Sequence, residues 1–231
     1  MIAAIIPARS GSKRIPGKNT KLFAGRPIIA YSIQAAMRAG IFDRIIVSTD
    51  SPDIAAVAES FGAQAPFLRP PELADDFTGT DAVFLHALKW LRANDALPEQ
   101  ACCIYATAPF IDPLHLRRGL DLLRKHTATS AFTVTTFPST IFRALRRDER
   151  GRLTMVWPEY HETRSQDLPE AYHDAGQFYW VDTVKYLAEG RLFSSDAVPV
   201  PIPRHLVQDI DTPEDWERAE IMHRCLAALD R

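Results

Sequence analysis

Short apolar runs, each followed by a segment of helical length, recur through the first two-thirds of this chain. That alternation leaves few folds open to it. The runs are IAAII (2–6), DRIIVSTD (43–50), ACCIYAT (101–107) and SAFTVTT (130–136), the last rich in the β-branched residues that suit strands. Between them lie three helical stretches with their own start and stop signals. One begins at Pro27 and runs to about Ala39, with Gly40 as its stop. Another is SPDIAAVAESFG (51–62). In TGTDAVFLHALKWLRAND (78–95), Phe84, Leu88 and Leu91 share one face. A further helix opens on Asp112 and Pro113 and runs to about 126. Strands separated by helices of this length pair in parallel through right-handed crossovers. The expected fold is therefore α/β, a three-layer α/β/α sandwich with a mostly parallel, Rossmann-like sheet.

The pattern breaks from Phe137 to about Ala175, where proline, charge and aromatics dominate and only RLTMVW (152–157) reads as a strand. A stretch this irregular serves as a lid, an arm or an interface. Alternation resumes with GQFYWVD (176–182), a short helix to about Gly190, the strand AVPVPI and a long helix from Pro213. With 46% apolar residues in 231, residues 1–231 can bury one large core and are read as a single domain.

Several function classes fall away at this level. The formal charge of −2 lacks the broad basic excess of a nucleic-acid binder. No stretch is long and apolar enough to span a bilayer, and Met1–Ile6 is too short for a signal-peptide core. Cys102, Cys103 and Cys225 have no framework or CxxC spacing, which points to reduced thiols and a cytoplasmic location.

In sheets of this class, ligands bind beyond the carboxyl ends of the strands. The first such loop, in IIPARSGSKRIPGKN (5–19), holds Arg9, Lys13, Arg14 and Lys18, and the first carboxylate of the chain comes only at Asp43. The loop is neither of two familiar phosphate binders. Gly11 and Gly17 enclose five residues, and Asn19 follows Lys18 where a P-loop needs Ser or Thr. The glycines also miss the dinucleotide fingerprint, and prolines interrupt it. What remains is an anion nest turned by Gly11 and Ser12, point charges from Lys13 and Lys18, and a fork from Arg9. A solvated surface loop is the plainer alternative. The charge density favours an anion site, and suits a triphosphate better than a single carboxylate.

The second constellation is VQDIDTPEDW (207–216). In extended chain, Asp209 and Asp211 point to the same side. Thr212 then caps a helix, with Pro213 at its first position and Asp215 three residues after the cap. Asp211 alone could be no more than a turn cap. Two parallel carboxylates beside a triphosphate call for a cation between them, and oxygen ligands with phosphate point to magnesium. Asp50, ending VSTD, is either a further metal ligand or a plain turn cap, and the turn is the favoured reading.

Taken together, IPARSGSKRIPGKN, YATAPF (105–110) and QDIDTPED resemble the CMP-sugar synthetases, CTP-dependent cytidylyltransferases of nine- and eight-carbon ulosonic acids. The resemblance covers nearly the whole chain in order and spacing. It implies a nucleotidyltransferase that joins CTP to a nonulosonic acid and releases pyrophosphate. Arg9, Ser12, Lys13, Lys18, Asn19 and Thr80 would lie at the nucleotide, with Lys13, Lys18 and Asp211 in catalytic roles. Asp209 and Asp211 would hold Mg2+, and Tyr105, Arg164, His173 and Tyr179 would meet the sugar, Arg143 being an alternative to Arg164 for the sugar carboxylate.

The sialic acid enzymes carry Gln where this chain has Tyr105, and Arg where it has His173. YATAPF with DAGQFYW is more similar to the pseudaminic acid branch. Synthetases for N-acetylneuraminate, legionaminate or KDO are the alternatives within the family. A catalytically silent nucleotide-binding protein is the alternative outside it. The resemblance also implies a homodimer, with 137–175 as its arm.

Overall fold

The computed structural model describes residues 1–229. One six-stranded sheet organises them, built from β1 (Ile2–Pro7), β2 (Arg44–Ser48), β3 (Gln100–Ile104), β4 (Ser130–Thr136), β5 (Tyr172–Asp182) and β6 (Val198–Pro201). Their order across the sheet is β2-β1-β3-β5-β4-β6. β1 pairs in parallel with β2 and β3, and β6 in parallel with β4. The helices are α1 (Ile28–Ala39), α2 (Pro52–Ser60), α3 (Thr80–Ala93), α4 (Pro113–His126), α5 (Thr183–Glu189) and α6 (Pro213–Leu229).

Period-two alternation along the strands divides the core between the two faces of the sheet. Ala4 and Ile6 of β1 face a cluster with Ile29 and Ile33 of α1, Ile54 of α2 and Leu116, Leu120 and Leu123 of α4. Ile5, between them, faces the opposite cluster of Phe84, Leu88 and Leu91 from α3 and Tyr186 from α5. This is the expected three-layer sandwich, and the helix boundaries follow from local chemistry. The Ser51 side chain caps α2 through the Ile54 N–H, and that of Asp112 caps α4 through the Leu114 N–H. Gly40, at φ +65°, ends α1 in the left-handed conformation.

The structure corrects three expectations. Pro27 does not open α1. It sits in a two-residue strand, Arg26–Pro27, paired with Leu22–Phe23, and the helix begins one residue later. β3 ends at Ile104, so Tyr105–Thr107 belong to the loop beyond it. The irregular stretch ends at 171, because β5 begins at Tyr172 and runs antiparallel to both β3 and β4. Between β4 and β5 the chain makes a small hairpin, Leu145–Arg147 with Leu153–Met155, and short 3-10 turns. Phe142 packs there against Trp157 and Tyr160.

A third, smaller cluster lies at the end of the sheet. It contains Ile15 and Phe23 from the basic loop and its hairpin, Ile28 of α1, Phe110, Ile210, and Trp216 and Ala219 of α6. It joins the first loop of the chain to its last helix.

Trp180 of β5 stacks on Phe42 and donates its indole N–H to the Leu116 carbonyl at 3.0 Å. Gly119 of α4 lets the ring approach so closely that a Cβ there would lie 2.6 Å from its Cδ1. Gly119→Ala is therefore expected to destabilise the protein by about 1–3 kcal/mol through overpacking, despite the better helix propensity of alanine. The measurement is the midpoint of thermal or urea unfolding, and an unchanged or raised midpoint would contradict this account of α4 packing.

Candidate active site

The carboxyl ends of β1, β2 and β3 open into a cleft of about 540 Å³. Pro7, Arg9, Ser12, Lys13, Arg14, Lys18 and Asn19 line one side, Arg69 and residues of 73–83 another, and Tyr105–Thr107 with Asp209 and Asp211 the rest. The two charged constellations, nearly two hundred residues apart in sequence, thus share one cavity.

Hydrogen bonds fix the shape of the basic loop. Asn19, buried, donates to the Arg9 carbonyl at 2.8 Å, tying the two ends of the loop together. Asp50 accepts from the Ser10 N–H at 2.9 Å and from its hydroxyl at 2.5 Å, so the residue read as a turn cap holds the loop in place. Those hydrogen bonds outweigh the effect of burial and draw the Asp50 carboxyl below its ordinary value.

The loop cations are not bare. Asp76 lies 2.7 Å from Arg9 Nη1 and 2.5 Å from Lys13 Nζ, and Arg9 also donates to the Asp75 carbonyl. Asp211 lies 2.9 Å from Arg14 and 3.4 Å from Lys18, whose ammonium also donates to the Ile210 carbonyl at 2.6 Å. A loop without acids of its own has borrowed them from 75–76 and 211.

At the other wall, Thr80 Oγ1 lies 2.9 Å from the Tyr105 hydroxyl. The remaining expected sugar contacts lie elsewhere. Tyr179 does not reach the cleft: it is 1% exposed, lies behind Tyr105, and donates to Asp174. Arg164 is paired with Asp167 at 2.6 Å, and Arg143 donates to the Thr163 carbonyl. His173 packs on Phe137 and donates from Nδ1 to the Asp174 carbonyl. A smaller cavity of about 360 Å³ lies nearby, lined by Phe137, Ile141, Leu168 and Glu170 among others.

Arg69 escaped the sequence reading. It is 4% exposed and lines the cleft, and its Nε and Nη2 have no hydrogen-bond partner. Its ion-pair contact is Asp50 at 3.8 Å, and burial pulls its pKa down from the ordinary arginine value. A buried guanidinium with orphaned donors costs stability unless a ligand completes it. Nothing in FLRPPEL marks it, because its position depends on an isolated bridge between Thr49 and Leu68.

Among the described residues, no group of three or more His, Cys, Asp or Glu could hold a metal on its own. Burial, and then the neighbouring charge of Asp211, push the Asp209 carboxyl above its ordinary value. A hard divalent cation would relieve that repulsion. Magnesium is commonly held by one or two carboxylates plus phosphate and water, so the pair fits it.

A mostly parallel sheet whose strand ends carry a cation-rich cleft with Asp209 and Asp211 on one wall and Asp75 and Asp76 on another is the arrangement of a nucleotidyltransferase. A family profile described as cytidylyltransferase matches residues 3–196, and the chain belongs to that family. It is 40% identical over 220 residues to the pseudaminic acid cytidylyltransferase of Campylobacter jejuni, covering 95% of each chain. It is 34% identical to the CMP-N,N'-diacetyllegionaminic acid synthase of Legionella pneumophila, covering 95% and 94%. In fold it is similar to CMP:2-keto-3-deoxy-manno-octonic acid synthetase complexed with CTP, with a TM-score of 0.70 at 17% identity and coverage of 100% and 99%.

Asp76 competes with any polyanion for Arg9 and Lys13. Asp76→Asn is expected to tighten binding of inorganic pyrophosphate severalfold at low salt, with the gain shrinking as salt rises. Calorimetric titration measures this, and weaker binding would make Asp76 part of the ligand site instead.

Proposed function

We propose that this chain transfers the cytidylyl group of CTP to a nonulosonic acid, pseudaminic acid, yielding the CMP-sugar and pyrophosphate. The observation that carries this is the meeting of Arg9, Lys13, Arg14 and Lys18 with Asp209 and Asp211 in one cleft. The sugar identity draws its support from the Campylobacter relative, matched along nearly its whole length.

The anomeric oxygen of the sugar attacks the α-phosphorus, the bond from that phosphorus to the oxygen bridging to the β-phosphate breaks with release of pyrophosphate, and the hydroxyl proton passes to water. Such transfers depend mainly on alignment and on neutralising phosphoryl charge. Lys13, Lys18 and Arg9 present fixed positive charge to the triphosphate and then to the leaving pyrophosphate. Ser12 offers its hydroxyl, its own N–H being spent on the Ser10 carbonyl at 3.0 Å, and Asn19 holds the loop in shape. The orphaned donors of Arg69 complete that wall on the ligand. Asp209 and Asp211 would hold magnesium, which when bound supplies charge neutralisation and lowers the pKa of a ligated hydroxyl.

Tyr105 and Thr80 offer hydroxyls to the nucleoside and the sugar. Arg164 and the hairpin belong to an arm over 137–171 that serves a homodimer, and His173 stands beside it at the start of β5. Leu145, Leu153 and Val156 stand exposed on the arm, as an unpartnered interface would have them. The three free cysteines suit the cytoplasm, and no helix among the described residues is long and apolar enough to cross a membrane.

The test is pyrophosphate release from CTP with a panel of pseudaminic, legionaminic, N-acetylneuraminic and KDO acids in magnesium. Pseudaminic acid is expected to give the highest kcat/KM. Asp211→Ala is expected to lower kcat by about a hundredfold or more while CTP binding remains measurable, and Lys13→Ala by about tenfold. CTP binding without release for every sugar would sink the enzymatic reading, and another preferred sugar would replace the substrate.

A further inference from the structure

The segment that carries Asp209 and Asp211 starts at the far edge of the sheet from the cleft it serves. β6 is the outer strand, and the cleft opens beyond β1, β2 and β3, so residues 202–211 must pass over the ends of β4 and β5. The hydrogen bonds along this crossing fall in that order. Ile202 donates its N–H to the Val134 carbonyl at 2.9 Å and accepts from the Thr135 hydroxyl at 2.9 Å, both on β4. Arg204 donates to the carbonyl of Phe137, just past the end of β4, at 3.1 Å. The Leu206 carbonyl then accepts from Gln177 Nε2, on β5, at 2.6 Å. At the cleft itself, Ile210 is buried in the small apolar cluster and its carbonyl accepts from Lys18.

Gln177 thus joins two walls of the cleft. Its backbone carbonyl accepts the Tyr105 N–H at 2.9 Å, and its side chain holds the crossing segment three residues before Asp209. That side chain is 3% exposed, and its Oε1 has no hydrogen-bond partner. A buried amide with one polar atom left unpaired costs stability. Methionine, of the same reach, would fill the space without an orphaned oxygen. Leu206 is only half-buried, so water can replace the amide at its carbonyl. The contact is a poor way to stabilise the fold and a direct way to hold the segment.

We propose that Gln177 is a positioning residue that fixes the course of the segment carrying Asp209 and Asp211, and through it the affinity of that pair for magnesium. This rests on the proposed nucleotide and metal site and adds to it a residue that does not line the cleft. Release of Leu206 from β5 loosens the stretch between Arg204 and Ile210, which includes Asp209. Asp211 lies beyond the Ile210 anchor, and its N–H is held by Asp215 Oδ2 at 3.2 Å. The loss therefore falls mainly on Asp209.

The experiment is calorimetric binding of CTP with magnesium and with a chelator, alongside backbone hydrogen exchange and the midpoint of thermal unfolding. Magnesium is expected to tighten CTP binding to the wild type by about tenfold or more. Gln177→Met is expected to reduce that ratio to about twofold, with CTP affinity in chelator unchanged. Exchange is expected to quicken over 206–210 but not in β3 or β5, and the unfolding midpoint to hold or rise. A ratio kept in Gln177→Met would overturn the proposal. So would a lowered midpoint with weaker CTP binding in chelator, the mark of a purely structural role. If Gln177→Met fails to fold, Gln177→Leu decides by the same ratio. A wild type whose CTP affinity ignores magnesium would remove the metal pair and this proposal with it. One that shows the ratio yet releases no pyrophosphate with any nonulosonic acid would leave the role of Gln177 standing and remove the proposed reaction.

Discussion

Two isoleucines hold the charged halves of the cleft together. Ile15 lies between Arg14 and Lys18, Ile210 lies between Asp209 and Asp211, and both are buried to within 2% in the same small cluster. Burial of each contributes about 2 kcal/mol. Phe23, Ile28, Phe110 and Trp216 complete the cluster, so an apolar anchor fixes each loop while its charges face the cavity. Electrostatic attraction alone would place these loops poorly, because exposed ion pairs are weak and screened by salt. The apolar cluster sets the geometry, and the charges then act at fixed positions.

Those charges fall into two kinds. Arg69 and Asp50 are built into the wall: one is buried with unused donors, the other holds Ser10 of the loop. Asp76 and Asp211 hold cations that a triphosphate would claim, and both pairs are partly or fully open to water. An unliganded loop with four cations is thereby kept from repelling itself.

The sequence reveals the layers and much of the cleft because those depend on local chemistry. Ser51 and Asp112 cap their helices as read. Thr212 and Asp215 form the reciprocal cap expected before α6, with Thr212 N–H to Asp215 at 2.9 Å and Asp215 N–H to Thr212 at 3.2 Å. The direction of β5 was hidden, since a strand buried on both faces has the same apolar composition whichever way it runs. For the same reason GQFYWVD does not reveal that Tyr179 turns away from the cavity behind Tyr105. Arg69, Asp75 and Asp76 were hidden by distance: Asp76 reaches Arg9 across 67 residues, and no local spacing encodes that contact.

Charge and selectivity therefore fall to different walls. Lysine and arginine at the phosphates act on any nucleoside triphosphate, because a point charge does not register which hydroxyl or acetamido group the ligand carries. Discrimination between close analogues requires groups that lose a hydrogen bond when the wrong one arrives. Among the hydroxyls lining this cleft, those of Thr80 and Tyr105 hydrogen-bond each other at 2.9 Å on a wall apart from the loop cations.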